Sequence, residues 1–211
     1  GFLHCDVLII GGGPSGLAAA LEAGRANLNV IIADDDFELG GRLNSENFFI
    51  NNDASSNWVS NTLVELSQLK NVRVMKRTTI YGSYDHGIFG GLEIKFDHYK
   101  HGNKKPRQIL WKIYTKYSIL CSGATERSIA FGNNDRPGIM LAGSLRAYLN
   151  RWSVCPGRNI IVFTNNDDGF KTAIDLKAKN INVKAIIDSR KNSDIEVKGI
   201  PTFRNTSVID T

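Results

Sequence analysis

The stretch that most constrains this chain is an apolar run, Asp6-Val7-Leu8-Ile9-Ile10, which breaks into Gly11-Gly12-Gly13-Pro14-Ser15-Gly16 and resumes as Leu17-Ala18-Ala19-Ala20-Leu21. It reads as a buried strand, a glycine turn and the start of a helix. Gly11, Gly13 and Gly16 hold the three fixed positions of the dinucleotide fingerprint. Gly11 permits the tight turn out of the strand. Gly13 has no Cβ, so a pyrophosphate can come up to the backbone. Gly16 lets the helix pack close to the strand. With Pro14 and Ser15 at the helix mouth, the exposed N–H groups and the helix dipole behind them suit a diphosphate.

A glycine triplet alone is common, but here its context is complete. A second apolar run, Val30-Ile31-Ile32-Ala33, ends at Asp34, about where the fingerprint expects a carboxylate for a ribose hydroxyl. Asp34, Asp35 and Asp36 would together repel a ribose 2′-phosphate, which favours NAD or FAD over NADP. Asp36 is expected to be a solvated turn residue. Leu39-Gly40-Gly41-Arg42 follows, and its glycine pair lets the chain pass close to a cofactor. Arg42 then points at a phosphate or an adenine face, or is a free surface arginine; the residues leave both open.

The rest of the chain alternates strand and helix signals. Helix one runs from about Pro14 to Ala26. A second helix is expected from Asn57, as N-cap, to Lys70, with Val59, Leu63 and Leu66 as its apolar stripe. Val72–Met75 is a strand, followed by Thr78–Gly82, where Ile80 is a candidate backbone contact to adenine. Leu92–Phe96 and Ile109–Tyr114 alternate apolar and polar residues. They predict a small β-meander joined by the polar loop from His98 to Pro106. Tyr117–Ala124 reads as a further strand, in which Gly123 again lets backbone approach the cofactor. A helix is expected near Ala142–Trp152. A second βαβ unit then follows: Asn159–Phe163, a helix from Gly169 to Lys179, and Val183–Asp188. Its turn, Thr164-Asn165-Asn166-Asp167-Asp168-Gly169, keeps only the third glycine. Asp167 and Asp168 put carboxylates where a diphosphate would sit, and are expected to cap the helix.

The fold class is therefore α/β. It is a Rossmann-like fold of the two-dinucleotide-binding, FAD/NAD(P)-binding kind, with a β-meander and a second, degenerate βαβ unit. Residues 1–150 make the dinucleotide-binding domain with the inserted meander. Residues 155–211 make the second unit, expected to be truncated, as in a piece cut from a longer polypeptide.

Composition excludes several classes. No apolar run approaches the ~18 residues of a membrane helix. The net charge of +5 is spread over scattered residues and small clusters such as Lys104-Lys105-Pro106-Arg107, so it reads as solvated surface rather than a nucleic-acid stripe. Cys5, Cys121 and Cys155 show neither a disulfide framework nor a zinc spacing. Cys5 and Cys121 read as small core residues, and unpaired thiols suit the cytoplasm. The histidines have no metal-ligand spacing. Tyr84, Asp85 and His86 are consecutive, which favours a turn over a reacting trio, and no side chain is assigned a catalytic role.

One longer stretch is recognisable. Glu126-Arg127-Ser128-Ile129-Ala130-Phe131-Gly132-Asn133-Asn134-Asp135-Arg136-Pro137-Gly138-Ile139-Met140-Leu141-Ala142 resembles the alpha subunit of heterotetrameric sarcosine oxidase. So do Arg77-Thr78-Thr79 with Gly82–His86, Tyr148–Arg151 and Phe163–Asp167. Related amine and proline dehydrogenase alpha subunits share parts of these motifs. The resemblance implies a complex that oxidatively demethylates sarcosine to glycine, giving hydrogen peroxide and one-carbon folate. It implies beta, gamma and delta partner subunits, substrate oxidation on FAD in the beta subunit, and FMN and folate sites outside this stretch. It places NAD in the first dinucleotide site, on Gly11, Gly13, Ser15, Gly16, Asp34, Asp35, Arg42 and Ile80. Arg42 stands where a small or hydroxylated residue is expected. Two other readings stand beside it: an FAD-binding dehydrogenase subunit, and an assembly module without chemistry.

Overall fold

The computed structural model describes residues 1–96 and 106–211. The loop expected from His98 onward, with His98, His101 and the Lys104-Lys105 pair, lies outside the described residues up to Pro106. The described chain forms two compact units, residues 1–43 with 48–124 and residues 44–47 with 125–211.

In the first unit, β1 (Phe2–Ile10) runs into helix α1 (Pro14–Arg25) and returns as β2 (Val30–Ala33). Proline at the helix start costs nothing, because the first-turn N–H has no helical acceptor to lose. A two-residue hairpin, β3 (Phe49–Ile50) with β4 (Asp53–Ala54), leads into α2 (Ser55–Gln68). Helix two thus begins earlier than expected, and Asn57 is not its cap; its amide binds the Asp53 carboxylate at 2.8 Å. Then come β5 (Val72–Met75), β6 (Thr78–Tyr84), β7 (Ile88–Ile94) and β8 (Gln108–Leu120). The sheet order is β5-β2-β1-β8-β7-β6.

The centre of this sheet differs from the expectation in one respect. Ile109–Tyr114 and Tyr117 onward are one 13-residue strand. Along Gln108–Tyr114 it pairs antiparallel with β7, and along Lys112–Leu120 it pairs parallel with β1. The strand ends at Leu120, so Ser122, Gly123 and Ala124 lie beyond it. The meander has three strands, β6 included. Tyr84 ends β6 and Asp85–Gly87 form a tight turn with His86 at φ 61°, so that trio is a turn between strands.

Around β1 and β2 both sheet faces are buried, as strand segments apolar on both sides require. Val7, Ile9, Val30 and Ile32 meet Leu17 and Ala20 of α1 and Val59 and Leu66 of α2. On the opposite face Leu8, Ile31, Ala33 and Met75 pack with Phe89 and Ile113 of the meander. Cys5 is buried and Cys121 packs against the first cluster, as expected of small core residues.

In the second unit, α3 (Ala142–Arg146) widens into a π-type turn over Ala147–Arg151. Strand β9 (Asn159–Thr164), helix α4 (Asp168–Ala178), strand β10 (Asn182–Asp188) and the short β11 (Thr202–Arg204) follow. The three strands are parallel in the order β11-β10-β9. Leu145 and Leu149 bury themselves with Val162, Phe170, Leu176 and Ile186. That packing places the helix at 142–151 in this unit, whereas sequence reading put residues up to 150 in the first domain. Arg146 is 1% exposed and holds two carboxylates, Glu46 at 3.3 Å and Asp168 at 2.5 Å. Asn150 donates to the Ser45 carbonyl and to Asp175. These bonds tie the short segment 44–47 into the second unit.

A buried ion pair stripped of one partner leaves an uncompensated charge. Arg146→Ala is expected to lower the urea-unfolding free energy of the second unit by about 3–5 kcal/mol. Arg146→Met combined with Glu46→Gln should cost clearly less.

Candidate dinucleotide site

The glycine turn closes onto itself at two points. Gly11 has φ +105°, and a Cβ there would lie 2.3 Å from the Cys121 carbonyl oxygen. That carbonyl is held in place because the Cys121 N–H donates to Ile10 O at 2.7 Å. A Cβ on Gly16 would stand 1.9 Å from Gly11 O. Both glycines are therefore required by packing. Gly13 differs: a Cβ there would meet nothing within 4 Å. The space over Gly13 is open toward solvent, at the mouth of α1.

The donors at that mouth are available. Gly13 is the N-cap and offers no side-chain acceptor, and the first turn carries no acidic residue. The first N–H groups of a helix have no carbonyl partner inside it, and they sit at the positive end of its dipole. Pro14 and Ser15 are exposed beside them.

Asp34 closes one side of the crevice. Its Oδ2 accepts the Gly12 N–H at 2.5 Å and its Oδ1 accepts the Asp36 N–H at 2.8 Å. Each oxygen keeps a second lone pair for a hydroxyl donor. Thr78 N–H donates to Asp34 O at 2.7 Å and Arg77 N–H to Asp36 O at 2.9 Å, so the start of β6 fixes the carboxylate loop. Asp36 is thus part of the loop's bonding, beyond the solvated role expected of it. Asp35 is exposed.

The loop after β2 lies across the turn. Gly40 N–H donates to Gly12 O at 2.8 Å, and Leu39 is fully buried. Gly41 has φ +54°, and a Cβ on it would be 3.0 Å from Gly13 Cα. Arg42 is exposed in the short 3-10 turn Gly41–Asn44. Gly123, at φ +69°, also has nothing within 4 Å of its missing Cβ. Gly11, Gly13, Pro14, Ser15, Gly16, Asp34, Gly41 and the segment ending at Cys121 therefore meet at the carboxyl ends of β1, β2 and β8. Ile80 pairs with Gly91 and packs its side chain into the core on the opposite sheet face. Leu39, Gly40, Cys121 and Thr78 build the crevice too. Their signal in the sequence was weak, because they act through backbone groups or burial.

The corresponding turn of the second unit is built differently. Thr164 Oγ1 accepts the Asn166 N–H at 3.1 Å, and Asn166 Oδ1 accepts the Asp168 N–H at 2.9 Å. Two amides of this turn are thus taken by their own loop. Asp167, at the N-cap, makes no side-chain capping bond. Asp167 and Asp168 instead enter ion pairs, Asp167 with Arg190 at 2.7 Å and Asp168 with Arg146, which corrects the capping expected of them. Asp188, fully buried at the end of β10, takes Arg190 through both carboxylate oxygens. The Arg190 guanidinium holds the Asp188 carboxyl below the usual carboxylate range. Among the described residues no group of three His, Cys, Asp or Glu is placed to hold a metal, and no helix is long and apolar enough to cross a membrane.

Comparison with known proteins agrees with this architecture. Residues 6–85 match the family model described as FAD dependent oxidoreductase. A sarcosine oxidase subunit alpha of Rhizobium meliloti (strain 1021) is 44% identical over 93% of this chain and 20% of its own length. One from Corynebacterium sp. (strain P-1) is 36% identical over 99% of this chain and 22% of its own length. Among solved structures, the L-proline dehydrogenase of P. horikoshii superposes with a TM-score of 0.73 at 25% identity, covering 92% of this chain and 37% of that one. The chain thus spans about one fifth of the curated relatives it matches.

Two measurements test the site. Gly13 has φ −71°, a conformation open to any residue. Gly13→Ala should therefore leave thermal stability within about 1 kcal/mol while weakening dinucleotide binding at least about tenfold by calorimetry. Gly16→Ala should destabilise the first unit by roughly 3 kcal/mol, because a backbone oxygen cannot move aside. In the second unit, a depressed Asp188 pKa adds stability above the unfolded value that is lost as pH falls through the folded one. The stability gap between wild type and Arg190→Gln should be constant near neutrality and close progressively below about pH 4, by denaturation at each pH.

Proposed function

We propose that this chain, a relative of the sarcosine oxidase alpha subunits, is the NAD-binding portion of the alpha subunit of such an oxidase complex. The complex would oxidatively demethylate sarcosine to glycine, releasing hydrogen peroxide and one-carbon folate. The observation that carries the reading is the open cradle over Gly13, with uncapped helix amides on one side and the Asp34 carboxylate on the other. An adenosine diphosphate fits those groups: the diphosphate against the amides at Gly13, Ser15 and Gly16, the ribose hydroxyls on Asp34. Asp35, Gly41, Arg42, Ile80 and Gly123 complete the proposed contacts. The charge of Asp34, Asp35 and Asp36 disfavours a ribose 2′-phosphate.

A bound nicotinamide or flavin would supply hydride transfer. The chain's own residues bind and orient the adenosine half, and we assign none of them a reacting role. Substrate oxidation belongs to partner subunits, the beta, gamma and delta chains of the complex. The second crevice supports this division, because two amides of its turn and its strand-end carboxylate are already bonded internally. Three free cysteines suit a cytoplasmic setting.

A second reading, FAD in the same crevice of an amine or amino-acid dehydrogenase subunit, is favoured by the family model over residues 6–85. Both dinucleotides share the adenosine diphosphate half. The nucleotide released on denaturing the purified complex decides between them. NAD, identified by mass and bound in proportion to the Gly13 site, is the expected result. FAD with absorption near ~450 nm, lost in Gly13→Ala, would carry the second reading. Loss of no nucleotide in that variant would overturn both.

A further inference from the structure

The dinucleotide crevice follows the carboxyl end of β1. Nearer the amino end of the same strand, a cavity of about 330 Å³ opens between β1, the Tyr84-Asp85-His86 turn and the middle of β8. His4, Asp6, His86, Tyr114 and Lys116 line it. The His4 and Tyr114 rings stack with centroids 4.8 Å apart, 11° from parallel. Asp6 is bonded through both oxygens, to Lys116 at 2.7 Å and to the Asn29 N–H at 2.9 Å. The Lys116 ammonium holds the Asp6 carboxyl below the usual carboxylate range. His86 sits at φ 61° and ψ 32°, in the left-handed region. Gly87 beside it has φ +68°, and a Cβ there would lie 2.4 Å from the Thr115 carbonyl oxygen. The turn is thus pressed onto β8, which keeps His86 at the cavity.

The backbone alone does not call for histidine at position 86. Asparagine or glycine meets a left-handed position as well. What the imidazole adds is a polar edge on the cavity. Among the described residues neither His4 nor His86 makes a hydrogen bond or an ion pair, and the Tyr114 hydroxyl makes none. Lys116 spends one of its ammonium donors on Asp6 and keeps the others. The unspent groups are therefore mainly donors, set around one full positive charge, and the neighbouring carboxylate has both oxygens engaged. An acceptor-only group with a single negative charge matches them. A phosphate dianion matches them less well. Among the described residues no arginine and no helix N-terminus lines the cavity, and Asp6 repels the second charge. We propose that this cavity binds a small carboxylate. His4, His86 and the Tyr114 hydroxyl donate to its oxygens, and Lys116 supplies the opposing charge. The volume stands at the small end for ligand sites, which suits an anion no larger than an amino acid.

Acetate titrated into the purified full chain, with chloride holding the ionic strength constant, tests this. The readout is the ring signals of isotope-labelled histidines by NMR. Two signals should shift and saturate together, and His4→Phe and His86→Asn should each remove one of them. His4→Phe keeps a ring stacked on Tyr114, and His86→Asn keeps a residue that tolerates the left-handed turn. Both variants should therefore hold the wild-type melting midpoint within about 2 °C. Each should weaken acetate binding at least about tenfold, read on the histidine that remains. Gly13→Ala should leave acetate binding unchanged, because the glycine turn lies beyond the other end of β1. Four results would each overturn the proposal. They are no histidine shift with acetate up to roughly 100 mM, shifts that chloride alone reproduces, tighter binding of inorganic phosphate than of acetate, and unchanged affinity in either histidine variant.

Discussion

A carbonyl oxygen and a helix meet where no side chain can fit between them. Gly11 O lies where a Cβ of residue 16 would have to be, and Gly11 itself is pressed against Cys121 O. These two approaches hold α1 down onto β1 and tie both to the end of β8. With the helix seated, its first amides project past Gly13 into free space. Asp34 then reaches Gly12, and the Gly40-Gly41 loop lies across the turn. Two missing methyl groups, at Gly11 and Gly16, let the sheet and helix close, and a third, at Gly13, leaves bare the backbone that a diphosphate requires.

The second unit shows what the same βαβ plan becomes without those absences. Thr164 occupies the start of the turn, and its hydroxyl takes an amide. Gly169 survives because its missing Cβ would lie 2.4 Å from Thr164 Cβ, a packing need rather than a binding one. The carboxylates at the helix start find arginines from elsewhere in the unit, Arg146 and Arg190. Anion-binding capacity is replaced by internal electrostatics. The unit retains the architecture and spends its polar groups on its own cohesion.

Much of this was legible in the residues. Val7–Ile10 and Val30–Ala33, continuous apolar runs closed by glycine or aspartate, read directly as parallel strands, and the observed bounds of α1 agree to within a residue. Gly11 and Gly16 were legible because each has a steric reason in the packing of the turn. What escaped was tertiary. Ile109–Tyr114 and Tyr117 onward looked like separate strands because the pattern changes at Thr115 and Lys116, where the strand exchanges β7 for a bare edge. Asp167 and Asp168 had the composition of caps. The arginines that claimed them are 22 and 23 residues away, beyond any local rule.

The pairing of β1 with β8 also sets an order of assembly. Phe2 finds Lys112, and Ile10 finds Leu120, so β1 waits on one side for a partner made more than a hundred residues later. Its other side is served early, by β2 within about thirty residues. During synthesis the nascent chain therefore carries a half-built sheet, with α1 already seated and one flank of β1 uncovered. Closing so long a loop is entropically slow. Over that interval the waiting flank of Val7, Leu8 and Ile9 is the surface a chaperone would need to shield.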